Sequence, residues 1–153
     1  VGDAVPRRRG LLRVPGMTIR AFEPGDIPAV KALWATCEGL GDGPGDSPMA
    51  LAGFLARNPG LSQVAESEGA IVGAVLCGHD GRRGLIYRLA VGPAHRRQGI
   101  ARALVSQCVS SLGGEGIDRA MLFVLKENPG ARAFWESVGG KWREKLLLYS
   151  IDL

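Results

Sequence analysis

The stretch from Leu85 to Leu104, LIYRLAVGPAHRRQGIARAL, constrains the fold more than any other part of the 153-residue chain. Its pattern predicts an apolar strand, a short basic turn and a helix that opens on Gly99-Ile100-Ala101. The first N–H groups of a helix have no partner within the helix, and the helix dipole adds partial positive charge there. Such a helix start binds phosphate. Three arginines cluster around it and predict a ligand with more than one negative charge: Arg96, Arg97 and Arg102.

The size of the chain favours one globular domain with a single core, since 46% of the residues are hydrophobic. We expect this domain to span residues 17–153. Residues 1–16 are rich in glycine, proline and arginine, and are interpreted as a disordered N-terminal extension or an upstream start. No stretch approaches the roughly 20 consecutive apolar residues of a membrane span, and the N-terminus lacks the apolar centre of a signal peptide. These features predict a cytoplasmic protein with no membrane partner.

The net charge of +4 does not favour nucleic-acid binding, because most of it lies outside the predicted domain. Residues 1–16 carry +3, mainly from Arg7, Arg8, Arg9 and Arg13, and the remainder carries only +1. A protein that binds DNA or RNA needs a basic face on its folded part. Nucleic acid is therefore an unfavoured partner.

The cysteines and histidines predict no metal site. Cys37, Cys77 and Cys108 lie far apart in apolar surroundings, which is typical of reduced thiols in a core. The chain has only two histidines to add to them. The basic turn also lacks the Gly-Lys-Ser or Gly-Lys-Thr of a P-loop and the glycine spacing of a dinucleotide-binding fold, and no Gly-x-Ser-x-Gly is present. Kinases, dehydrogenases and hydrolases are therefore disfavoured.

The rest of the chain predicts strands and helices in the order β, α, α, β, β, β, α, β, α, β. Three of the helices have candidate capping residues at their starts, namely Asp26, Ser47 and Asn128. The last two predicted strands span residues 119–127 and 146–151. Between the first two helices lies a loop, residues 39–46, that is rich in glycine and carries Asp42 and Asp46.

This order resembles the GNAT superfamily of N-acetyltransferases, which transfer an acetyl group from acetyl-CoA to an amine. The most specific match is Arg96-Arg97-Gln98-Gly99-Ile100-Ala101, which fits the family's [QR]-x-x-G-x-[GA] pyrophosphate loop. The loop follows the strand end Leu89-Ala90-Val91-Gly92-Pro93, and Asn128 lies in the next βα unit. The resemblance covers residues 17–153. It implies an α+β, three-layer fold with a mixed, mostly antiparallel sheet of about six or seven strands and about four helices.

The resemblance also implies which residues bind acetyl-CoA. The backbone of Leu89 to Val91 would pair with the pantetheine amides like a partial extra strand, and the side chain of Asn128 would bond to the same arm. The helix start would bind the pyrophosphate, since Gly99 allows close approach of the backbone. The residues predicted to bind the cosubstrate are Leu89, Ala90, Val91, Arg96, Arg97, Gln98, Gly99, Ile100, Ala101, Arg102 and Asn128.

The catalytic residues are harder to assign, because the family's usual groups are absent. The family commonly uses a tyrosine as the acid, and this chain has Trp135 at the matching position, whose indole N–H gives up no proton near neutral pH. Leu85 and Phe123 stand where relatives often carry glutamate. Among the polar residues, Tyr87, which could line the cleft, is the first candidate for a catalytic role and Asp80 the second, although Asp80 also fits a hairpin turn.

Two functions follow from these observations. The first is an N-acetyltransferase that acts on a primary amine, which is a protein N-terminus, a lysine or a small molecule, by direct attack in a ternary complex. The second is a CoA-binding regulatory module with weak catalysis, which Trp135 and the missing carboxylates leave open. Asp42 and Asp46 point to a cationic acceptor. The resemblance further implies a possible homodimer formed through the last strands.

Overall fold

A computed structural model describes residues 12–153, which form two compact units: one extends to Leu122 and the other comprises Phe123–Leu153. The elements of the first unit are β1 (Thr18–Ala21), α1 (Ile27–Ala35), α2 (Pro48–Arg57), β2 (Gln63–Ser67), β3 (Ala70–His79), β4 (Gly84–Val91), α3 (Ile100–Gly114) and β5 (Ala120–Met121). The second unit contains α4 (Pro129–Ser137). A single domain over residues 17–153 stays a prediction.

Residues 1–11 of the predicted N-terminal extension lie outside the described residues. Within residues 12–16, Val14 is buried, and its carbonyl oxygen accepts a hydrogen bond of 3.1 Å from the Met17 N–H. Val14 thus packs next to the start of β1.

The five strands form one sheet in the order β1-β2-β3-β4-β5. The pairs from β1 to β4 are antiparallel, and β5 pairs parallel to β4. This confirms the predicted α+β class and the mixed, mostly antiparallel sheet. The predicted strand number of about six or seven is too high, because the structure has five strands in residues 12–153.

Helices α1 and α2 cover one face of the sheet. Their buried side chains recur at the spacing of one helix face, and they pack against Ala74 of β3 and Ala90 of β4. The apolar side chains that the two helices bury are Ile27, Val30, Leu33, Trp34, Leu51 and Leu55.

Helix α3 covers the opposite face. Gly73 precedes Ala74 in β3 and therefore points to the other side of the sheet. A Cβ atom at Gly73 would lie 3.1 Å from Ile100 Cγ2 and 3.2 Å from Leu104 Cδ1, both side chains of α3. The glycine lets α3 lie close to β3, and the result is the expected three-layer arrangement.

Two of the three predicted helix caps are confirmed. The Ser47 hydroxyl accepts from the Ala50 N–H at 3.1 Å, and the side-chain Oδ1 of Asn128 accepts from the Ala131 N–H at 2.9 Å. The Asp26 cap is wrong, since its side chain makes no capping bond to α1. The Asp26 carboxylate instead faces backwards along the chain, where Arg20 and the Glu23 N–H donate to it.

The last two predicted strands are also corrected. Of residues 119–127 only β5, Ala120–Met121, pairs with a neighbour, and residues 146–151 form no strand. Their apolar side chains are exposed, among them Leu147 and Tyr149. A strand needs a paired backbone as well as apolar residues, and a run of apolar residues does not specify that partner.

Candidate functional site

The basic turn between β4 and α3 is shaped by two residues in the left-handed region. After β4 the chain makes a short 3-10 turn, Pro93–His95, and then passes through Arg97 at φ +61° and Gly99 at φ +83°. Gly99 is the N-cap of α3, so no side chain caps the helix start. A Cβ atom at Gly99 would meet nothing within 4 Å. Open space thus lies beside Gly99 at the start of α3, where an anion-binding helix start needs room for its ligand.

Arg96 and Arg97 of this turn are exposed on the surface. Arg96 Nε donates to the carbonyl oxygen of Val91 at 3.2 Å, which holds its guanidinium beside the end of β4. None of the ion pairs formed within residues 12–153 involves Arg96 or Arg97. The next residue along, Gln98, is also exposed, whereas Ile100 is buried and anchors the helix. The turn thus presents positive charge on a fixed helix start.

A β-bulge interrupts β4 just before the segment predicted to carry the pantetheine arm. Tyr87 pairs with Leu76 and Ala90 with Ala74, so two residues of β4, Arg88 and Leu89, share the space opposite one residue of β3. Arg88 lies at φ +52°. Simple alternation predicts Leu89 on the sheet face of Tyr87, and this is wrong because the bulge places Ala90 there.

Tyr87 is half-buried against the core beneath α1 and α2. Burial raises the pKa of its phenol above the ordinary value of 10, since the charged form loses solvation. The hydroxyl therefore keeps its proton at neutral pH. It is suited to donate a hydrogen bond, and unsuited to release a proton.

Asp80 lies in the β3–β4 turn and holds that turn together. Its carboxylate accepts from the N–H groups of Arg82 at 2.7 Å and Arg83 at 2.8 Å, and these bonds lower the pKa of the exposed carboxyl. The turn joins β4 at Gly84, seven residues before Val91, a separation of roughly 23 Å along a strand. Its bonds favour the turn role of Asp80 over a role in proton transfer.

Two predicted site residues, Asn128 and Trp135, belong to the second unit and are described with it. The side-chain Oδ1 of Asn128 caps α4, so the side-chain Nδ2 is the group that could donate to a ligand. The Trp135 ring packs edge-to-face on Phe134 with centroids 5.3 Å apart. The backbone carbonyl oxygen of Trp135 accepts a hydrogen bond from the Gly140 N–H at 2.7 Å. The structure brings the other predicted binding residues, Leu89–Val91 and Arg96–Arg102, together in the first unit.

The loop of residues 39–46 reveals a functional candidate that the sequence analysis missed, Arg88. Lys31 pairs with Asp42 at 3.1 Å, and Arg88 pairs with Asp46 at 3.0 Å. Both aspartates thus have a cationic partner within the protein, and a cationic acceptor stays a prediction. An arginine inside the otherwise apolar strand LIYRLAV was the available signal, but its partner lies 42 residues away.

An open groove of about 680 Å³ lies between α1 and residues 92–95. Its charged wall consists of Arg20, Asp26 and Glu66, and Arg20 donates to both carboxylates at 2.8 Å. Because these charges are satisfied within the protein, the groove is a weaker candidate for an anionic ligand than the basic turn.

The described residues contain neither a metal-binding cluster nor a membrane-spanning helix. In residues 12–153 no three histidine, cysteine or acidic side chains come together as a metal site would require. Over the same range, no helix has the length and apolar character needed to cross a membrane. The three cysteines are free, and Cys77 and Cys108 are buried.

Comparison with known families and sequences gives consistent results. The family described as "Acetyltransferase (GNAT) family" matches residues 27–140. A protein named as an acetyltransferase in Sodalis glossinidius is 34% identical over 132 residues, which cover 86% of this chain and 92% of the relative. Another in Pectobacterium atrosepticum is 38% identical over 122 residues, covering 80% of this chain and 86% of the relative.

Solved structures share the fold at lower identity. The Ard1 protein of Thermoplasma volcanium superimposes with a TM-score of 0.73 at 23% identity, covering 81% of this chain and 82% of that one. The ribosomal-protein-S18-alanine N-acetyltransferase of Escherichia coli gives a TM-score of 0.69 at 24% identity, with 80% and 76% covered.

Proposed function

The chain belongs to the GNAT family of acetyltransferases, and we propose that it transfers the acetyl group of acetyl-CoA to a primary amine by direct attack in a ternary complex. The observation that carries this proposal is the start of α3. Gly99 leaves the helix start without a side-chain cap, and Arg96 and Arg97 stand beside it with no carboxylate partner among the described residues. A ligand with two linked phosphates satisfies both the N–H groups and the guanidinium groups.

The end of β4 supports a place for the rest of the cosubstrate. With the pyrophosphate at residues 96–102, an arm that runs back along the strand passes Val91, Ala90 and Leu89 in turn. Its amides would pair with the backbone there as a partial extra strand. The acetyl end then reaches the bulge at Arg88, where the regular ladder of β4 is interrupted. Asn128 remains a proposed contact of the same arm.

The chemical step makes three demands of the protein. The acceptor must arrive as a neutral amine, the thioester carbonyl must be polarised, and the departing thiolate must be stabilised. The amine nitrogen forms a bond to the carbonyl carbon while the C–S bond breaks. The nitrogen loses one proton and the CoA sulfur gains one.

Tyr87 is our candidate for stabilising the thiolate. Its raised pKa keeps the hydroxyl protonated, so that it acts as a hydrogen-bond donor. Water then carries the proton that the amine loses. We expect Tyr87→Phe to lower kcat about tenfold, the worth of one hydrogen bond to a charged group, with unchanged affinity for acetyl-CoA.

A second candidate function is a CoA-binding regulatory module. Trp135 favours it, since an indole stands where the family commonly has an acidic tyrosine. Such a module would bind acetyl-CoA through the same turn and transfer the acetyl group poorly.

One assay separates the two functions. Purified protein is incubated with acetyl-CoA and a panel of amines that includes N-terminal peptides, lysine peptides and small primary amines, and free CoA thiol is measured. An acetyltransferase releases CoA with at least one amine well above the rate with no amine, and mass spectrometry shows the acetylated product. Tight binding of acetyl-CoA with no amine-dependent release would contradict the proposal and support the regulatory module.

A further inference from the structure

The loop of residues 39–46 is held in place by hydrogen bonds from two side chains outside the loop, Lys31 and Arg88. It contains four glycines, a composition that by itself leaves the backbone free to adopt many conformations. Arg88 Nη2 donates to the Leu40 carbonyl at 2.7 Å, and Nη1 donates to the Gly41 carbonyl at 3.2 Å and to Asp46 Oδ2 at 3.0 Å. Lys31 adds a bond of 2.7 Å to the Asp46 carbonyl. One guanidinium thus binds both ends of the loop.

Arg88 is itself fixed by Trp34 of α1. The guanidinium carbon lies 4.2 Å from the centroid of the indole ring, a cation–π contact. In return, Trp34 Nε1 donates to the Arg88 carbonyl oxygen at 3.2 Å. Arg88 Nε is buried and has no hydrogen-bond partner among the described residues, and stacking on the indole offsets part of that cost. Side chain and backbone of Arg88 are therefore both tied to the same residue.

The pair is buried deeply for two charged groups. Only 15% of the Arg88 side chain and 13% of the Asp46 side chain are exposed. Arg88 also occupies the left-handed region at φ +52°, a strained conformation for a residue with a side chain. Strain and buried charge of this kind are concentrated at functional sites, where the surrounding structure enforces them.

Arg88 also immediately precedes the segment that would carry the acetyl arm. If the arm runs from the basic turn along Val91 to Leu89, its acetyl end meets the bulge at Arg88, and the loop stands at that point. An amine that attacks there approaches past residues 39–46. The position of this loop then decides how well the acceptor is oriented.

We propose that Arg88 is a positioning residue for acetyl transfer, which holds residues 39–46 as a fixed wall of the acceptor site beside Leu89–Val91. This inference rests on the proposed function. Arg88 acts through the loop and touches neither the pyrophosphate turn nor the departing sulfur. Its loss therefore weakens acceptor binding and leaves cosubstrate binding intact.

The test uses Arg88→Gln with Arg82→Gln as the matched control, because Arg82 is an exposed arginine of the β3–β4 turn. In Arg88→Gln, we expect amide hydrogen exchange in residues 39–46 to become at least tenfold faster. The KM for the best amine should rise at least tenfold, while the Kd for acetyl-CoA, measured by isothermal titration, stays within twofold. Arg82→Gln should change none of the three. Arg88→Lys should resemble Arg88→Gln, since an ammonium has neither the planar fork nor the stacking surface of a guanidinium.

Asp46→Asn provides a milder second variant that keeps an oxygen for the Gly43 N–H, which donates to Asp46 Oδ2 at 2.8 Å. It should shift exchange and KM in the same direction by smaller factors, and it decides the question if Arg88→Gln does not fold. The inference is overturned if exchange in residues 39–46 is unchanged, or if exchange accelerates and the amine KM does not move. A wild-type protein that acetylates no amine overturns the proposed function itself, and the positioning role with it.

Discussion

Two glycine-containing connections meet β4, one through contacts with Arg88 and the other by following the strand in the chain, and their charges are used in opposite ways. In residues 39–46 both aspartates are paired within the protein, one with Lys31 and one with Arg88. In residues 92–99 no ion pair of the described chain engages Arg96 or Arg97. Ion pairs hold residues 39–46 in place, whereas Arg96 and Arg97 of the second connection are available to a ligand. Charge and glycine content alone make the two look alike; the pairing of each charge separates them.

We expect the largest change in acetyl-CoA affinity from a substitution at Gly99. We expect Gly99→Glu to raise the Kd for acetyl-CoA more than 100-fold, because a carboxylate at the helix start occupies the phosphate position and repels it. Isothermal titration measures the effect. Gly99→Ala is the control for backbone strain: its Cβ has open space, so only the left-handed φ is penalised, by about 1–2 kcal/mol of stability. Equal affinity in the two variants would show that the ligand binds elsewhere.

A smaller effect is expected at the unpaired arginines. Arg97→Gln should raise the Kd for acetyl-CoA about tenfold, the lower end of what a hydrogen bond between charged groups contributes. The difference from wild type should shrink as salt is added, since the charges lie at the surface. Titrations at two salt concentrations measure both. An affinity independent of Arg97 and of salt would mean that the turn does not bind the phosphates.

The smallest effect on binding is expected where charges are paired. Asp26 binds Arg20 through both carboxylate oxygens, at 2.8 and 2.9 Å, and its side chain is only 14% exposed. We expect Asp26→Asn to lower the free energy of unfolding by about 1–2 kcal/mol at pH 7 and to leave acetyl-CoA affinity unchanged. Denaturant unfolding and titration check the two parts.

The pH dependence of that loss follows from the pKa of Asp26. Hydrogen bonds from Arg20 lower it below the ordinary value of 3.8. The carboxylate therefore stabilises the fold fully above pH 3.8, and the stabilisation disappears as the pH falls through the lower folded-state pKa. Wild type and Asp26→Asn should converge in that range. A gap in stability that persists after the wild-type carboxylate has been protonated would contradict an ionic origin.

The sequence predicted the parts of the site that depend on local order. The strand, basic turn and helix around Gly99 lie in one continuous stretch, and glycine at φ +83° is a residue choice that the backbone itself demands. The caps at Ser47 and Asn128 are local as well, and both are confirmed. Helix caps and glycine turns of this kind can be predicted from a single sequence because they depend on residues that are close together in the chain.

What the sequence missed depends on partners distant along the chain. The bulge at Arg88 is a matter of register between β3 and β4, and simple alternation cannot show it. The bond from Arg88 to Asp46 spans 42 residues. The expected strand over residues 146–151 had the composition of a strand but no paired neighbour in the described chain. The Asp26 cap was wrong for a different reason: Arg20 is only six residues away, but it lies in β1, and the helix pattern that follows Asp26 does not show that a guanidinium faces its carboxylate.

The absence of a side chain at Gly73 determines how closely α3 packs on the sheet. At Gly73 a side chain would have to displace Ile100 and Leu104 by a few tenths of an ångström, and Ile100 is the first residue of α3, whose start we propose as the phosphate site. Gly73 thus influences the position of the first N–H groups of α3, although it lies in β3. A larger residue at Gly73 would therefore move the start of α3 first. We expect such a substitution to lower the activity of the enzyme before it unfolds the protein.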